Sequence, residues 1–77
     1  MKDLLTFIVK NVLGKDSKFE ITEETNGSVV TLTVRTSDEE GGMIIGKGGK
    51  VIKAIRNILR IKATLEKKKI VLLVNPQ

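Results

Sequence analysis

Residues 43–55, MIIGKGGKVIKAI, are the stretch that decides the fold. Glycine stands at positions 46, 48 and 49, and lysine stands at 47, 50 and 53. Glycine is unfavourable inside regular elements, so the stretch predicts a tight loop. Apolar residues precede and follow the loop, which indicates that it joins two elements packed on a core.

The segment after the loop, residues 50–64, predicts the longest helix. At about 100° per residue, four cations share one arc and most apolar residues occupy the opposite side, although Lys62 falls on the apolar side. This is the pattern of an amphipathic helix with a basic polar stripe. The stripe consists of Lys50, Lys53, Arg56 and Arg60.

The segment before the loop predicts a short helix. Ser37 and Glu40 have the spacing of a capping box, which begins a helix that can run to about residue 45. Gly41 and Gly42 weaken this helix. We therefore expect it to be held by packing of its last apolar residues, Met43, Ile44 and Ile45.

The rest of the chain predicts one more helix and three strands. Residues 3–13 have apolar residues at helical spacing. Residues 18–24 and 29–35 alternate, and Asn26-Gly27 between them predicts a hairpin turn. Residues 69–74 are almost continuously apolar and predict a central strand covered by helices.

The predicted order is helix, strand, strand, short helix, glycine loop, long helix, strand. It indicates an α+β fold of two layers, with a three-stranded mixed sheet and helices on one face, αββααβ. A chain of 77 residues is short enough to form one domain, residues 1–77.

Charge is distributed unevenly along the chain. Residues 1–45 hold five basic and eight acidic side chains, a net charge of −3. Residues 46–77 hold nine basic side chains and one acidic side chain, a net charge of +8. A positive field that begins at the glycine loop predicts a polyanionic partner.

The composition excludes several classes of function. The chain has neither cysteine nor histidine, so it lacks thiolate nucleophiles, the usual general base and the commonest metal ligands. The acids fall in hairpin and cap positions that explain them, and we expect no enzyme activity, metal or cofactor. No apolar run approaches the roughly 20 residues of a membrane span, and we expect a cytoplasmic protein.

Known phosphate-binding loops do not match the glycine stretch. A Walker A loop ends in Gly-Lys-Ser/Thr, but Val51 follows Lys50 here. A dinucleotide fingerprint needs a third glycine where Val51 stands, and it follows a strand rather than a helix. A plain structural turn between helices explains one glycine, but it does not explain Lys47 at the loop tip.

The stretch I-I-G-K-G-G-K-V-I resembles the hydrophobic-hydrophobic-G-x-x-G-x-x-hydrophobic signature of the KH domain, an RNA-binding module. The element order resembles the prokaryotic, type II KH arrangement along the whole chain. The size resembles the small stand-alone KH proteins of bacteria, the KhpA-like group. The resemblance implies a single-stranded RNA-binding protein that acts as an RNA chaperone or post-transcriptional regulator.

The resemblance also implies roles for individual residues. Loop residues would contact the sugar-phosphate backbone, isoleucines would form an apolar floor under the bases, and cations of the long helix would flank the phosphates. The other wall of the groove would come from residues 29–35 or Arg35. The implied RNA-binding residues are Ile44, Ile45, Gly46, Lys47, Gly48, Gly49, Lys50, Ile52, Lys53 and Arg56.

Partners beyond RNA follow from the size of the groove. A single small groove binds weakly, so we expect a homodimer or a complex with a larger KH-containing RNA-binding protein, as the resemblance also implies. Ile61 falls on the polar side of its helix and is a candidate interface residue. The alternative function is a protein-interaction or assembly adaptor that uses the KH fold without RNA.

Overall fold

The computed structural model of the chain describes residues 1–76. Its element order agrees with the predicted αββααβ order, which confirms the predicted fold class. A short turn over Lys47–Gly49, which is not regular helix because Gly48 and Gly49 have positive φ, separates the last two helices. The elements are α1 (Lys2–Leu13), β1 (Glu20–Asn26), β2 (Val29–Arg35), α2 (Asp38–Ile45), α3 (Lys50–Leu65) and β3 (Lys69–Val74).

The three strands form a mixed sheet in the order β1-β2-β3. β1 and β2 are antiparallel with Asn26 opposite Val29, whereas β2 and β3 are parallel with Val29 opposite Lys69. Strand β1 therefore begins and ends two residues later than predicted. The two-residue turn consists of Gly27 and Ser28 instead of Asn26 and Gly27, and Gly27 supplies the positive φ of 63°.

One face of the sheet is buried against the helices. Alternate residues of β2 (Val30, Leu32 and Val34) are at most 2% exposed, and β1 and β3 add Ile21 and Leu72. Helices α1, α2 and α3 contribute Leu5, Val9, Ile44, Ile55 and Leu59 to the same core. Helices on one face of a mixed sheet were the predicted architecture.

The prediction that β3 is a central strand is wrong. β3 lies at the edge of the sheet, next to β2, and only Leu72 is buried. Val71 and Leu73 point to the opposite face and are 41% and 39% exposed. Continuous apolar character is typical of strands buried on both faces, but here one face of β3 has no covering layer among the described residues.

Helix α2 begins with the predicted cap. The Ser37 hydroxyl accepts a hydrogen bond from the Glu40 backbone N–H at 3.1 Å, and it lies 3.1 Å from Glu40 Oε1, to which it donates. Of its three apolar residues at positions 43–45, only Ile44 is buried, at 1% exposed. Met43 and Ile45 are 47% and 40% exposed, so the expectation that all three residues pack inward is wrong for these two.

Asn75, directly after β3, ties the sheet to the start of α2. Its Oδ1 accepts from the Thr36 backbone N–H at 2.8 Å, and its Nδ2 donates to the Ser37 carbonyl at 3.3 Å. Its backbone N–H donates to the Val34 carbonyl at 2.8 Å. A Cβ on Gly41 would lie 2.6 Å from Asn75 Nδ2, so this glycine provides the space for the Asn75 side chain.

Candidate nucleic-acid interface

The loop between α2 and α3 is built from three glycines with positive φ. Gly46 ends α2, and its N–H donates to the Gly42 carbonyl at 2.8 Å. Gly48 and Gly49 have φ/ψ of 65°/17° and 76°/18°, both left-handed. Residues with a Cβ avoid this conformation, so the loop reverses direction in four residues without backbone strain.

Gly46 has the strictest requirement of the three. Its φ/ψ of 77°/170° lies in a region that is essentially restricted to glycine. A Cβ there would overlap Val51 Cγ2, and it would lie 2.8 Å from Val51 Cβ and 3.0 Å from the Val51 backbone nitrogen. The backbone of the loop therefore lies directly against the first turn of α3.

Gly48 faces the other way. A Cβ on Gly48 would meet no atom within 4 Å, and both Gly48 and Lys47 are exposed. The tip of the loop is therefore open to a ligand. Gly48 has a left-handed conformation that glycine adopts without strain.

The N-terminus of α3 directly follows the loop, and of its first-turn amides the Lys50 N–H is paired with the Lys47 carbonyl. The N-cap residue is Gly49, which has no side chain to accept from the amides of the first turn. Unpaired N–H groups and the helix dipole favour an anion at this position. Lys47, Lys50 and Lys53 are exposed around it.

These cations are not neutralised by neighbouring carboxylates. Within residues 1–76, the only ion pair joins the Met1 ammonium group to Glu23 at 3.8 Å. The charges of Lys47, Lys50, Lys53 and Arg56 therefore remain available to an external anion. A phosphate at the loop would receive both backbone donors and full positive charges.

The three isoleucines of the predicted apolar floor differ in how exposed they are. Ile44 is 1% exposed, so it can support a floor only from beneath and has no free surface for a base. Ile45 is 40% exposed, and Ile52 is partly buried beside the core. Ile45 and Ile52 are therefore the two isoleucines whose surfaces a base can reach.

The second wall of a groove has a different candidate from the one predicted. β2 is the central strand, and Arg35 lies on the sheet face opposite the helices, where its guanidinium donates to the Pro76 carbonyl at 3.3 Å. Helices α2 and α3 instead contact the edge strand β3. An edge strand has unpaired backbone groups, so β3 can offer hydrogen bonds to a ligand beside α3.

Helix α3 has two different exposed flanks. At about 100° per residue, Lys53, Arg56 and Arg60 lie on one side of the buried residues Ile55 and Leu59. The other side has apolar residues at alternating spacings of three and four. This second set, the apolar seam, consists of Val51, Ala54, Ile58, Ile61 and Leu65, and the last three are 46%, 67% and 81% exposed.

The two depressions that stand out on the described surface lie away from the loop. One lies between the end of α1, the turn that follows it and Glu40 of α2, and the other lies between α1 and the start of β1; no loop residue lines either one. Residues 1–76 contain no group of three acids that could hold a metal ion. In the same residues, no helix is long and apolar enough to cross a membrane.

Sequence reasoning overlooked two residues near this surface. No local pattern indicates the role of Asn75, because its contacts with Thr36, Ser37 and Gly41 join segments far apart in sequence. In the sequence, Lys67 counts only as one of the nine basic residues after position 45. It has a φ of 58°, and a glycine there would have signalled this conformation.

The chain is similar to known proteins along nearly its whole length. Residues 2–74 match the family described as "KhpA/KhpB, KH domain". The RNA-binding protein KhpA of Clostridium perfringens is 34% identical over 71 residues, covering 92% of this chain and 95% of the relative. RNA-binding protein KhpA of Chlamydia trachomatis is 44% identical over 61 residues, covering 77% and 76% of the two chains. No solved structure shows significant similarity to the chain.

Proposed function

The chain belongs to the KhpA/KhpB family of KH domains, and we propose that it is a non-catalytic RNA-binding protein. Its G-x-x-G loop, Gly46 to Gly49, holds the backbone of a short single-stranded segment. KH loops of this kind clamp roughly four nucleotides. The protein acts in the cytoplasm as an RNA chaperone or post-transcriptional regulator.

The observation that carries this proposal is the combination of open backbone and unpaired charge at one place. Gly48 leaves the loop tip bare, Gly49 leaves the α3 amides without a cap, and Lys47 and Lys50 add charge. Bases then lie over Ile45 and Ile52, and β3 is the opposite wall. No aromatic residue is available in the loop or in α3, so recognition rests on aliphatic contacts and hydrogen bonds to base edges.

Binding of RNA should depend strongly on salt. Each phosphate contact with a single strand contributes about 0.7 to the logarithmic slope, so four contacts lower the affinity roughly fiftyfold between about 50 and 200 mM salt. Fluorescence anisotropy with an unstructured labelled RNA measures this slope. Absence of binding even at the lower salt concentration would refute the proposal.

The apolar seam of α3 supports a second part of the proposal, a homodimer. Apolar residues at spacings of three and four form the contact seam of paired helices. In a two-fold dimer the α3 helices of two copies pack through the same residues, chiefly Ile58, Ile61 and Leu65. The basic flank of each α3 then stays free, and two RNA sites in one particle raise the overall affinity.

Ile61→Gln is expected to shift the dimer towards monomer. The change adds no charge. It removes, from each of the two copies, an isoleucine that becomes buried when the dimer forms. At about 1.5–3 kcal/mol for burial of such a side chain, we expect the dimer dissociation constant to rise at least about tenfold. Sedimentation equilibrium measures it, with Thr64→Gln as the control at an exposed site outside the seam. A wild-type protein that is monomeric at high concentration contradicts the dimer.

The exposed apolar seam also supports the second candidate function, a protein-interaction adaptor. A larger KH-containing protein could offer a matching helix in place of the second copy. This function predicts a stable complex with a protein and no RNA binding at physiological salt. The salt titration above therefore separates the two candidates.

A further inference from the structure

The cations beyond the proposed groove are not explained by a four-nucleotide clamp. After Arg56 the chain continues with Arg60, Lys62 and then three consecutive lysines, with Glu66 as the single acid. Lys67 and Lys68 lie in the turn between α3 and β3, and Lys69 is the first residue of β3; these three residues are called the lysine turn. The lysine turn takes part in no ion pair within the described chain. So dense a charge is repulsive unless an external anion is present.

The backbone conformation of Lys67 is a second, independent observation that indicates a function for the lysine turn. Its φ of 58° is left-handed, and among residues 1–76 it shares this property with only one other non-glycine residue, Asn75. The Asn75 side chain forms the contacts that hold it. The Lys67 side chain forms no hydrogen bond or ion pair within the described residues, so the fold gains nothing evident from a lysine there.

Glycine is the residue that this position normally takes. The Lys67 N–H donates to the Thr64 carbonyl at 3.0 Å, and the Lys68 N–H donates to the Ala63 carbonyl at 2.8 Å. These two bonds close the end of α3 in the way that a C-terminal glycine usually does. A lysine at this position is strained, and strain without a structural benefit points to a function.

The lysine turn lies at the far end of the surface that begins at the loop. α3 has 16 residues, which span about 24 Å at 1.5 Å per residue. Lys53, Arg56 and Arg60 are spaced along one flank between the two ends. At about 3.4 Å per phosphate in a stacked strand, roughly seven nucleotides cover this length, and a more extended strand needs fewer.

We propose that a single-stranded RNA leaving the G-x-x-G loop continues along the basic flank of α3 and that its phosphates contact the lysine turn. The site thus binds strands longer than four nucleotides better than short ones, independently of sequence. This inference rests on the proposed RNA-binding function and specifies the length of strand that the protein holds. Contacts to phosphates set affinity and register rather than base preference.

Lys67→Gly separates this role from a structural one. Glycine relieves the left-handed strain, so the variant melts at a higher temperature than the wild type. Its affinity for an RNA of about twelve nucleotides falls by about two- to fivefold, which is the typical effect of losing one exposed charge contact. The slope of the logarithm of affinity against the logarithm of salt concentration becomes shallower by about 0.7. Its affinity for an RNA of about five nucleotides stays unchanged.

Two further variants complete the experiment. Replacing all three lysines of the turn by glutamine lowers affinity for the longer RNA by more than about tenfold. Lys15→Gln removes one charge from the turn after α1 and leaves both affinities unchanged. A Lys67→Gly protein that binds the longer RNA like the wild type overturns the inference, and so does an equal loss for both lengths. If the wild type binds neither RNA, the proposed function itself fails.

Discussion

The double substitution Lys47→Asp, Gly48→Asp is expected to remove measurable binding of short RNA while the protein stays folded. The change replaces the lysine at the loop tip with a carboxylate and adds a second carboxylate beside it. Both then face the phosphates that the α3 amides and Lys50 attract. We expect the affinity to fall roughly a hundredfold or more, because a favourable contact is replaced by repulsion.

The fold should survive this change for reasons visible at both positions. Lys47 is exposed, and a Cβ on Gly48 meets nothing within 4 Å. The left-handed φ of 65° at Gly48 is one that aspartate adopts more readily than most residues, so the loss of stability stays near about 1 kcal/mol. Circular dichroism with thermal melting checks the fold, and anisotropy measures the binding.

A matched control exists in the hairpin turn. Gly27 has a φ of 63°, and a Cβ there also meets nothing within 4 Å. Lys15→Asp, Gly27→Asp therefore introduces the same residue types, the same charge change and the same backbone strain away from the loop. If this control loses as much affinity as the loop variant, general electrostatic repulsion is the cause, and the loop is not the site.

Gly46→Ala is expected to damage the fold itself. The φ/ψ of 77°/170° is unfavourable for alanine, and the new Cβ would lie 3.0 Å or less from both the backbone nitrogen and the Cβ of Val51. The loop must move away from α3 to relieve this contact. We expect a loss of about 3 kcal/mol in the free energy of unfolding and a melting temperature lower by more than about 10 °C.

Urea denaturation measures this loss, with Gly42→Ala as the control. Gly42 lies in α2 with a helical conformation, and a Cβ there meets nothing within 4 Å. That substitution should stabilise the protein by up to about 1 kcal/mol through helix propensity. A Gly46→Ala protein as stable as the Gly42→Ala protein would show that the close approach to Val51 does not constrain the loop.

Local features of the sequence predicted the parts of the site that depend on neighbouring residues. The glycine loop, the Ser37–Glu40 cap and the basic flank of α3 all follow from spacings within one element. These features are the ones that the structure reproduces with the predicted geometry. Their physical causes, a positive φ, a cap or a helical period, act over a few residues.

Features that depend on long-range pairing could not be predicted in the same way. β3 has the composition of a central strand, but strand order is set by how the chain crosses the sheet, and β2 takes the centre. Ile44 and Ile45 are chemically identical neighbours, and only the packing of α2 decides that the first is buried and the second exposed. Lys67 adopts a left-handed conformation at a position where the sequence contains no glycine to indicate it.

The parallel pairing of β2 with β3 affects when the RNA surface becomes complete during synthesis. Residues 29–34 cannot form their parallel pairing until residues 69–74 have been synthesised. The hydrogen bond from the Thr36 N–H to the Asn75 side chain also forms only after that point. A ribosome that adds about 5–20 residues per second needs roughly one to five seconds to extend the chain from Gly49 to Asn75. The surface around the glycine loop is therefore completed late, because the strand that pairs with β2 and the Asn75 side chain that holds Thr36 are among the last residues to be made.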